Sequence, residues 1–139
     1  MRRELGNAYE LDDDRGRVDR AAVHAFLSTS YWATGRSREL NDRLIDDAAG
    51  VAGLYFAGAQ VGYARAVSDS ATVAYLADVY VLEEHRRRGL GVELVRFVVE
   101  DGPLADVRKW ILHTSDAHGL YRKLGFAEPD HRLLERGRL

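Results

Sequence analysis

The sequence predicts a single domain of mixed α/β class, in which a mostly antiparallel sheet carries helices on both faces. Two observations support this prediction. Residues 51–56, 60–67 and 72–82 form three predicted strands joined by the short links AGA and SDSA, and links this short connect neighbouring antiparallel strands. The segments that follow alternate strand, helix, strand and helix, and a strand-helix-strand crossover pairs its two strands in parallel.

The first elements of the chain are an edge strand and two helices. Alternating apolar positions predict the edge strand over residues 4–11. A helical period begins at Asp19, which can cap the first turn, and a second helix begins after Ser37 for the same reason. Residues 28–36, between the two helices, are predicted to form a loop that carries aromatic side chains.

After the three strands, apolar spacing predicts a helix over residues 89–100, a buried strand over residues 109–114 and a last helix over residues 117–124. Gly125 ends this last helix. The helix, strand and helix complete a mixed sheet covered on both faces. Within the strand of residues 72–82, simple alternation places Leu76, Asp78 and Tyr80 on one face.

Length and composition limit the functional classes. The 139 residues suffice for one core, so residues 1–139 are predicted to form one domain. The chain is 46% apolar and 30% charged, and its net charge of -2 gives no sign of a nucleic-acid partner. The absence of cysteine excludes disulfides, thiolate metal sites and cysteine nucleophiles. The five histidines show no paired ligand spacing, so no metal is expected.

Location follows from the absence of a hydrophobic segment in the sequence. No apolar run approaches the length that spans a bilayer, and the N-terminal arginines are not followed by the apolar core of a signal peptide. We therefore expect a cytoplasmic, unprocessed protein without a membrane partner.

An anion site is predicted where the strand of residues 72–82 enters the next helix. The connecting residues read R-x-x-G-x-G from position 86. Glycines let backbone N–H groups approach a ligand, and the first turn of a helix leaves about four such donors unpaired. The pattern suits a pyrophosphate, although a run of arginines can equally form a solvated face. Its members are Arg86, Arg87, Arg88, Gly89, Leu90 and Gly91.

A second motif, AHGLYRKLGF, stands some thirty residues after the first. Together with the strand, R-x-x-G-x-G and helix of residues 79–91, it resembles the signatures of the GCN5-related N-acetyltransferase (GNAT) superfamily. The matching positions of the second motif are Ala117, Leu120, Tyr121, Gly125 and Phe126. The predicted order of elements also fits this family over nearly the whole chain.

The resemblance implies acetyl-coenzyme A as the donor and coenzyme A as a product. Its pyrophosphate would bind the backbone N–H groups of residues 86–91. Strand 72–82 would splay from strand 109–114, so that Val79, Tyr80 and Val81 could hold the pantetheine arm like an added strand. A backbone N–H near Tyr80 or Val81 would stabilise the oxyanion of a tetrahedral intermediate. The remaining implied contacts with the cofactor are Thr114, Ala117 and Tyr121.

Two positions depart from the pattern of the family. Thr114 stands where many members carry asparagine, and this puts one common cofactor contact in doubt. Arg87 replaces a frequent glycine.

Tyr121 and Asp78 are the predicted catalytic residues. Tyr121 has the position that the family often uses for the general acid that reprotonates the coenzyme A thiolate; alternatively its ring packs beside the sulfur. Asp78 is the first candidate for the general base, because an aspartate is costly in an otherwise apolar strand. It could instead hydrogen-bond a neighbouring strand or an arginine. His113 and His118 are weaker candidates.

The acceptor pocket is expected where the two early helices and their loop face the splayed strands. Tyr31, Trp32 and Arg36 would line it, although aromatic side chains in a loop can also serve as lid packing. Arg65 could pair with an acidic group, either Asp78 or a carboxylate of the substrate.

The sequence therefore predicts an N-acetyltransferase that passes the acetyl group directly to an amine in a ternary complex. The acceptor is a small molecule or a protein amino group, and a homodimer is possible. One alternative is a catalytically weak module that binds or senses acyl-coenzyme A. Another is a nucleic-acid protein that uses the three arginines on phosphates, but one basic patch makes no base-stacking platform.

Overall fold

The computed structural model describes residues 1–137, so the last two residues of the predicted domain lie outside the described residues. Strands and helices follow the predicted order. The strands are β1 (Arg2–Gly6), β2 (Tyr9–Asp12), β3 (Gly50–Phe56), β4 (Ala59–Ser68), β5 (Val73–Val81) and β6 (Lys109–Ile111). The α-helices are α1 (Arg20–Leu27), α2 (Arg38–Asp47), α3 (Leu90–Arg96) and α4 (His118–Arg122). A wider turn, Phe97–Asp101, continues α3.

The strands form one sheet in the order β1-β2-β3-β4-β5-β6. Every neighbouring pair is antiparallel except β5 and β6, which are parallel. The prediction of a mixed, mostly antiparallel sheet is confirmed. The parallel pairing runs only from Val73 opposite Lys109 to Tyr75 opposite Ile111, and β5 continues beyond it for six residues without β6. The two parallel strands therefore splay apart.

Helices cover both faces of the sheet, as predicted. On one face α1 and α2 bury Val23, Leu27 and Ile45 against the sheet. On the other face α3 buries Leu90 and Leu94 in a larger apolar cluster, to which α4 also contributes. Burial of apolar surface on both sides holds the sheet between two layers.

The starts of α1 and α2 are confirmed with their caps. A carboxylate oxygen of Asp19 accepts a hydrogen bond from the N–H of Ala22 at 3.0 Å. The hydroxyl of Ser37 accepts one from the N–H of Leu40, also at 3.0 Å. Such caps satisfy donors that a helix leaves open, and each stabilises the helix by about 1 kcal/mol.

Some predicted boundaries were wrong. Residues 4–11 were expected to form one strand, but the chain reverses there and makes the β1–β2 hairpin. The reversal uses positive φ at Gly6, Asn7 and Ala8. Strand β6 ends at Ile111 instead of residue 114, and α4 is shorter than residues 117–124 at both ends.

A bulge in β5 also overturns the simple alternation expected along this strand. Asp78 has φ of +55°, and the register with β4 shifts at this point. Leu76 consequently packs in the apolar cluster beneath α3, whereas Tyr80 packs in the cluster beneath α1 and α2. An inserted residue turns the side chains after it to the other face. The bulge thus aims Asp78 at the α1–α2 side of the sheet.

No helix within residues 1–137 combines the length and the apolar character that a bilayer crossing requires.

Candidate active site

A cavity of about 980 Å³ opens where β5 and β6 diverge. Most of its lining comes from β5, the loop that leads into α3, α4, the loop between α1 and α2, and the loop between β6 and α4. Phe26 of α1, Arg65 of β4 and the first turn of α3 complete it. A cleft at the splayed ends of parallel strands is a common place for a ligand site. Nearly all the residues that the sequence singled out meet here.

The loop before α3 presents a row of free backbone donors. The N–H groups of residues 87–92 find no acceptor within residues 1–137. Positive φ at Arg87 (+63°) and Gly89 (+77°) turns the chain into the helix. Unpaired N–H groups at a helix start attract anions, so this loop fits the predicted pyrophosphate site.

Only some residues of this loop line the cavity. Arg86 and Arg87 line the cavity, whereas Arg88 and Leu90 are not among the residues that line it. The Leu90 side chain lies in the core beneath α3. Arg86 Nε donates to the carbonyl oxygen of Val81 at 2.8 Å, which ties the loop to the end of β5.

Gly91 allows α3 and α4 to approach each other closely. A Cβ at this position would stand 2.9 Å from Leu120 Cδ1, closer than carbon atoms normally pack. The second glycine of the motif therefore brings α4, with Tyr121, against the start of α3.

The outer edge of β5 supplies a donor inside the cavity. The N–H of Leu82 donates to the carbonyl oxygen of Val61 at 2.8 Å, on the β4 side. Successive N–H groups of a strand point to opposite sides, so that of Val81 points away from β4. No strand of residues 1–137 pairs with β5 on that side, because the pairing with β6 has already ended. Of the two predicted positions for the oxyanion donor, the geometry favours Val81 over Tyr80.

Tyr121 lines the cavity from α4 and is 8% exposed. Burial raises the pKa of its phenol to about 12, and the nearby Tyr31 and Asp116 add to this shift. The hydroxyl therefore keeps its proton at neutral pH and can donate it in a hydrogen bond. Its ring also packs edge-on against Phe126, with centroids 5.8 Å apart.

Thr114 and Ala117 also line the cavity. The hydroxyl oxygen of Thr114 accepts a hydrogen bond from the N–H of Ala117 at 3.1 Å, which closes the turn before α4. Thr114 thus shapes the chain at the mouth of the cavity.

Asp78 forms the centre of a buried ionic cluster on the α1–α2 side of the cavity. Arg36 donates to both carboxylate oxygens, at 2.8 and 3.1 Å. Arg65 Nε donates at 2.9 Å and Trp32 Nε1 at 3.0 Å. Each oxygen accepts two hydrogen bonds, and the Asp78 side chain is only 2% exposed.

These contacts bear on the predicted general base. Burial alone would raise the pKa of the Asp78 carboxyl, but hydrogen bonds from Arg36 and the positive charge of Arg65 outweigh burial and hold the pKa below its ordinary value. A carboxylate with a lowered pKa and fully used lone pairs is a poor proton acceptor. The geometry therefore favours the alternative, in which Asp78 pairs with arginines.

The loop between α1 and α2 reaches across the cavity. The phenol oxygen of Tyr31 accepts a hydrogen bond from the N–H of Ser115 at 3.2 Å, in the loop between β6 and α4. Tyr31 is nevertheless 62% exposed. Trp32, Arg36 and Tyr31 all line the cavity, as the prediction for the acceptor pocket required.

His113 lies at the cavity with a partner on each ring nitrogen. Nδ1 is hydrogen-bonded to the hydroxyl of Tyr75, and Nε2 to a carboxylate oxygen of Glu135. Tyr75 lines the cavity too, although nothing in its sequence context pointed to a functional role. His118 is not among the lining residues. Other lining residues that were not selected from the sequence include Phe26, Val92, Asp116 and Lys123.

Within residues 1–137, no three histidine or acidic side chains come together in a group that could hold a metal ion.

Comparison with known proteins agrees with this geometry. The model of the Acetyltransferase (GNAT) family matches residues 11–126. A solved structure from Xanthomonas campestris pv. campestris, described as belonging to the GNAT family, is 39% identical and superimposes with a TM-score of 0.86. The match covers 94% of this chain and 93% of that one. No curated protein matches the chain.

More distant structures share the fold. A protein from Deinococcus radiodurans R1, described as an acetyltransferase, is 26% identical with a TM-score of 0.74, covering 96% of this chain and 92% of that one. Glucosamine-6-phosphate N-acetyltransferase from Arabidopsis thaliana is 15% identical with a TM-score of 0.66, covering 92% and 97%. This last likeness concerns the fold alone. Because the family model matches residues 11–126 and the Xanthomonas protein is 39% identical over nearly the whole chain, the chain belongs to the GNAT family of acetyltransferases.

Proposed function

We propose that the protein is an N-acetyltransferase that passes the acetyl group of acetyl-coenzyme A directly to an amine in a ternary complex. One observation carries the proposal. The loop with free N–H groups before α3, the unpaired edge of β5 and Tyr121 all line one cavity. These are the features needed to hold a pyrophosphate, to hold an extended arm and to assist a leaving thiolate.

The residues present fit acetyl-coenzyme A. The N–H groups of residues 87–92, with Arg87 beside them, would hold the pyrophosphate. The edge of β5 at Val79 and Val81 would bind the pantetheine arm as an added strand would. When bound, acetyl-coenzyme A supplies an acetyl thioester as the electrophile.

Val81 and Tyr121 would then stabilise the charge that develops during transfer. The N–H of Val81 donates to the thioester oxygen, and a preorganised donor of this kind typically contributes about 10²- to 10³-fold in rate. The Tyr121 hydroxyl donates to the departing sulfur. A thiol has a pKa of about 8.5, far below the value of about 12 for this phenol, so a retained hydrogen bond is favoured over complete proton transfer.

The base that deprotonates the amine is sought among the residues that line the cavity. Asp78 was the first candidate from the sequence, but its carboxylate is fully used by Trp32, Arg36 and Arg65. We propose His113 instead, acting through the hydroxyl of Tyr75, which is hydrogen-bonded to its Nδ1 and would pass the proton of the amine to it.

The acceptor is proposed to be a small molecule or a protein amino group that enters on the α1–α2 side, past Tyr31, Trp32 and Arg36. We also propose that the protein acts in the cytoplasm without a nucleic-acid or membrane partner. Assembly into a homodimer is part of the same proposal.

A screen for thiol release from acetyl-coenzyme A over a panel of amines tests the function. We expect at least one amine to release thiol in step with its own acetylation. Initial velocities at varied concentrations of both substrates should give intersecting lines in double-reciprocal plots, as a ternary complex requires. Tight acetyl-coenzyme A binding without transfer to any amine would contradict the proposal and favour a binding module.

A further inference from the structure

The ionic cluster around Asp78 carries more positive than negative charge. Two guanidinium groups, those of Arg36 and Arg65, meet one carboxylate. Arg36 takes both carboxylate oxygens in a bidentate pair, so Asp78 is already matched by one arginine. The cluster therefore has a net charge of about +1, although its side chains are largely buried. An uncompensated buried charge is costly, and such sites are usually completed by a counter-ion.

Arg65 carries this excess charge. Its side chain is 10% exposed, and its Nε donates to Asp78 at 2.9 Å. The N–H groups on its two terminal nitrogens find no acceptor within residues 1–137. Arg65 also lines the cavity. Two adjacent terminal nitrogens of an arginine match the two oxygens of a carboxylate.

The remaining acids that line the cavity do not complete this site. Asp116 lies in the loop before α4, where its carboxylate meets the hydroxyl of Thr114. Arg86 and Arg87 belong to the loop before α3, beside the free N–H groups. Positive charge thus lines the cavity at the loop before α3, proposed for the pyrophosphate, at Lys123 after α4, and at Arg36 and Arg65 around Asp78.

We propose that the amine acceptor carries a carboxylate group, which binds the terminal nitrogens of Arg65 while the amine faces the thioester beside Val81. This inference rests on the proposed acetyltransferase function and names its substrate class: amino acids, or amines with a carboxylate in the same molecule. One excess positive charge matches one carboxylate. Trp32 and Arg36 serve to hold Asp78, and Asp78 in turn orients Arg65 through Nε.

The test is a ladder of ω-amino acids from glycine to 6-aminohexanoate, together with the common α-amino acids, each paired with its carboxamide. Thiol release from acetyl-coenzyme A is measured for every member. We expect kcat/KM for at least one acid to exceed that of its carboxamide by about 10-fold or more. The free energy of a hydrogen bond to a charged group corresponds to a fold-change of this size. Equal values for acids and carboxamides throughout would overturn the carboxylate proposal and leave acetyl transfer standing.

Substitutions test whether Arg65 is the residue that causes the preference for acids over carboxamides. Arg65→Gln should abolish the preference for the acid, mainly through a higher KM for the acceptor, with the KM for acetyl-coenzyme A unchanged. Arg65→Lys should retain part of the preference, because it keeps the charge but not the fork. Arg43→Gln, on the exposed side of α2, is the matched control and should keep the full preference. A preference that survives in folded Arg65→Gln would overturn the assignment; the comparison of acids with carboxamides needs no variant.

A binding measurement separates the two proposals. Calorimetry on protein saturated with coenzyme A compares the N-acetylated acids with their N-acetylated carboxamides. If no amine accepts an acetyl group but the acids bind about 10-fold tighter, the carboxylate site stands and the acetyltransferase proposal falls. If acids and carboxamides bind equally, the carboxylate site falls, whatever the outcome of the transfer assay.

Discussion

The guanidinium of Arg36 and the carboxylate of Asp78, 42 residues apart in the chain, form a bidentate pair with distances of 2.8 and 3.1 Å. The pair joins the loop between α1 and α2 to the bulge of β5. It therefore fixes one wall of the cavity relative to the strand that is proposed to hold the thioester. Loss of this pair should affect both the stability of the fold and the shape of the acceptor side.

Replacing Asp78 with asparagine should lower the free energy of unfolding by about 3 kcal/mol, because it leaves two buried guanidinium groups without their counter-charge. Urea denaturation measures the change. Asp47→Asn, at an exposed position at the end of α2, is the control and should change stability by less than about 0.5 kcal/mol. An Asp78→Asn variant as stable as this control would show that the cluster contributes nothing.

The contribution of Asp78 should also depend on pH. Its pKa in the folded protein is lowered by Arg36 and Arg65 despite burial, so the folded state binds this proton less readily than the unfolded state. The stabilisation is therefore fully present above the unfolded pKa of about 3.9 and is lost as the pH falls below it. The stability difference between wild type and Asp78→Asn, measured from pH 7 to pH 3, should shrink only at the acid end. A difference that vanished between pH 7 and pH 5 would contradict the lowered pKa.

Tyr121→Phe should reduce kcat by about 100-fold and leave the affinity for acetyl-coenzyme A nearly unchanged, since only the hydroxyl that faces the proposed sulfur is lost. Steady-state kinetics and equilibrium binding give the two values. Tyr55→Phe removes a hydroxyl that meets the carbonyl of Arg17, away from the cavity, and should leave kcat unchanged. Because the Tyr121 pKa is about 12, its ionisation should produce no fall in kcat below pH 10. An unchanged kcat in Tyr121→Phe would remove the proposed role.

Gly89→Ala tests the turn that orients the free N–H groups. Gly89 has φ of +77° and open space where a Cβ would stand, so the substitution strains the backbone without a clash. We expect a loss of about 1–2 kcal/mol of stability and weaker binding of acetyl-coenzyme A. Gly119→Ala, also with open space but in a helix, is the matched control and should not destabilise the protein. Full affinity in Gly89→Ala would argue against the loop as the pyrophosphate site.

Features set by local chemistry could be predicted from the sequence. The caps at Asp19 and Ser37, the β3–β4–β5 meander and the glycine loop before α3 each depend on residues close together in the chain. The β1–β2 hairpin was missed: Gly6 and Asn7 favour the positive φ that the turn needs, but Ala8, which also has a positive φ, does not. The antiparallel meander and the mixed pairing of the sheet followed from short links and a crossover.

The sequence predicted which residues form the candidate site better than it predicted how they are arranged. The R-x-x-G-x-G pattern and Tyr121 identified the cavity, but the bulge at Asp78 is invisible in a strand that alternates regularly. The cost of a buried aspartate could be anticipated, whereas its pairing with both Arg36 and Arg65 depends on contacts made only by the folded chain. The same is true of Tyr75 and His113, which are 38 residues apart.

The most direct test of the account follows the acetyl group itself. Protein is incubated with trideuterioacetyl-coenzyme A and an acceptor identified by the amino-acid ladder, and the product is analysed by mass spectrometry. The account predicts an amide on the acceptor nitrogen that carries the labelled acetyl group, formed in equal amount to free coenzyme A, and about 100-fold more slowly with Tyr121→Phe. Release of coenzyme A with labelled acetate and no labelled amide would contradict it.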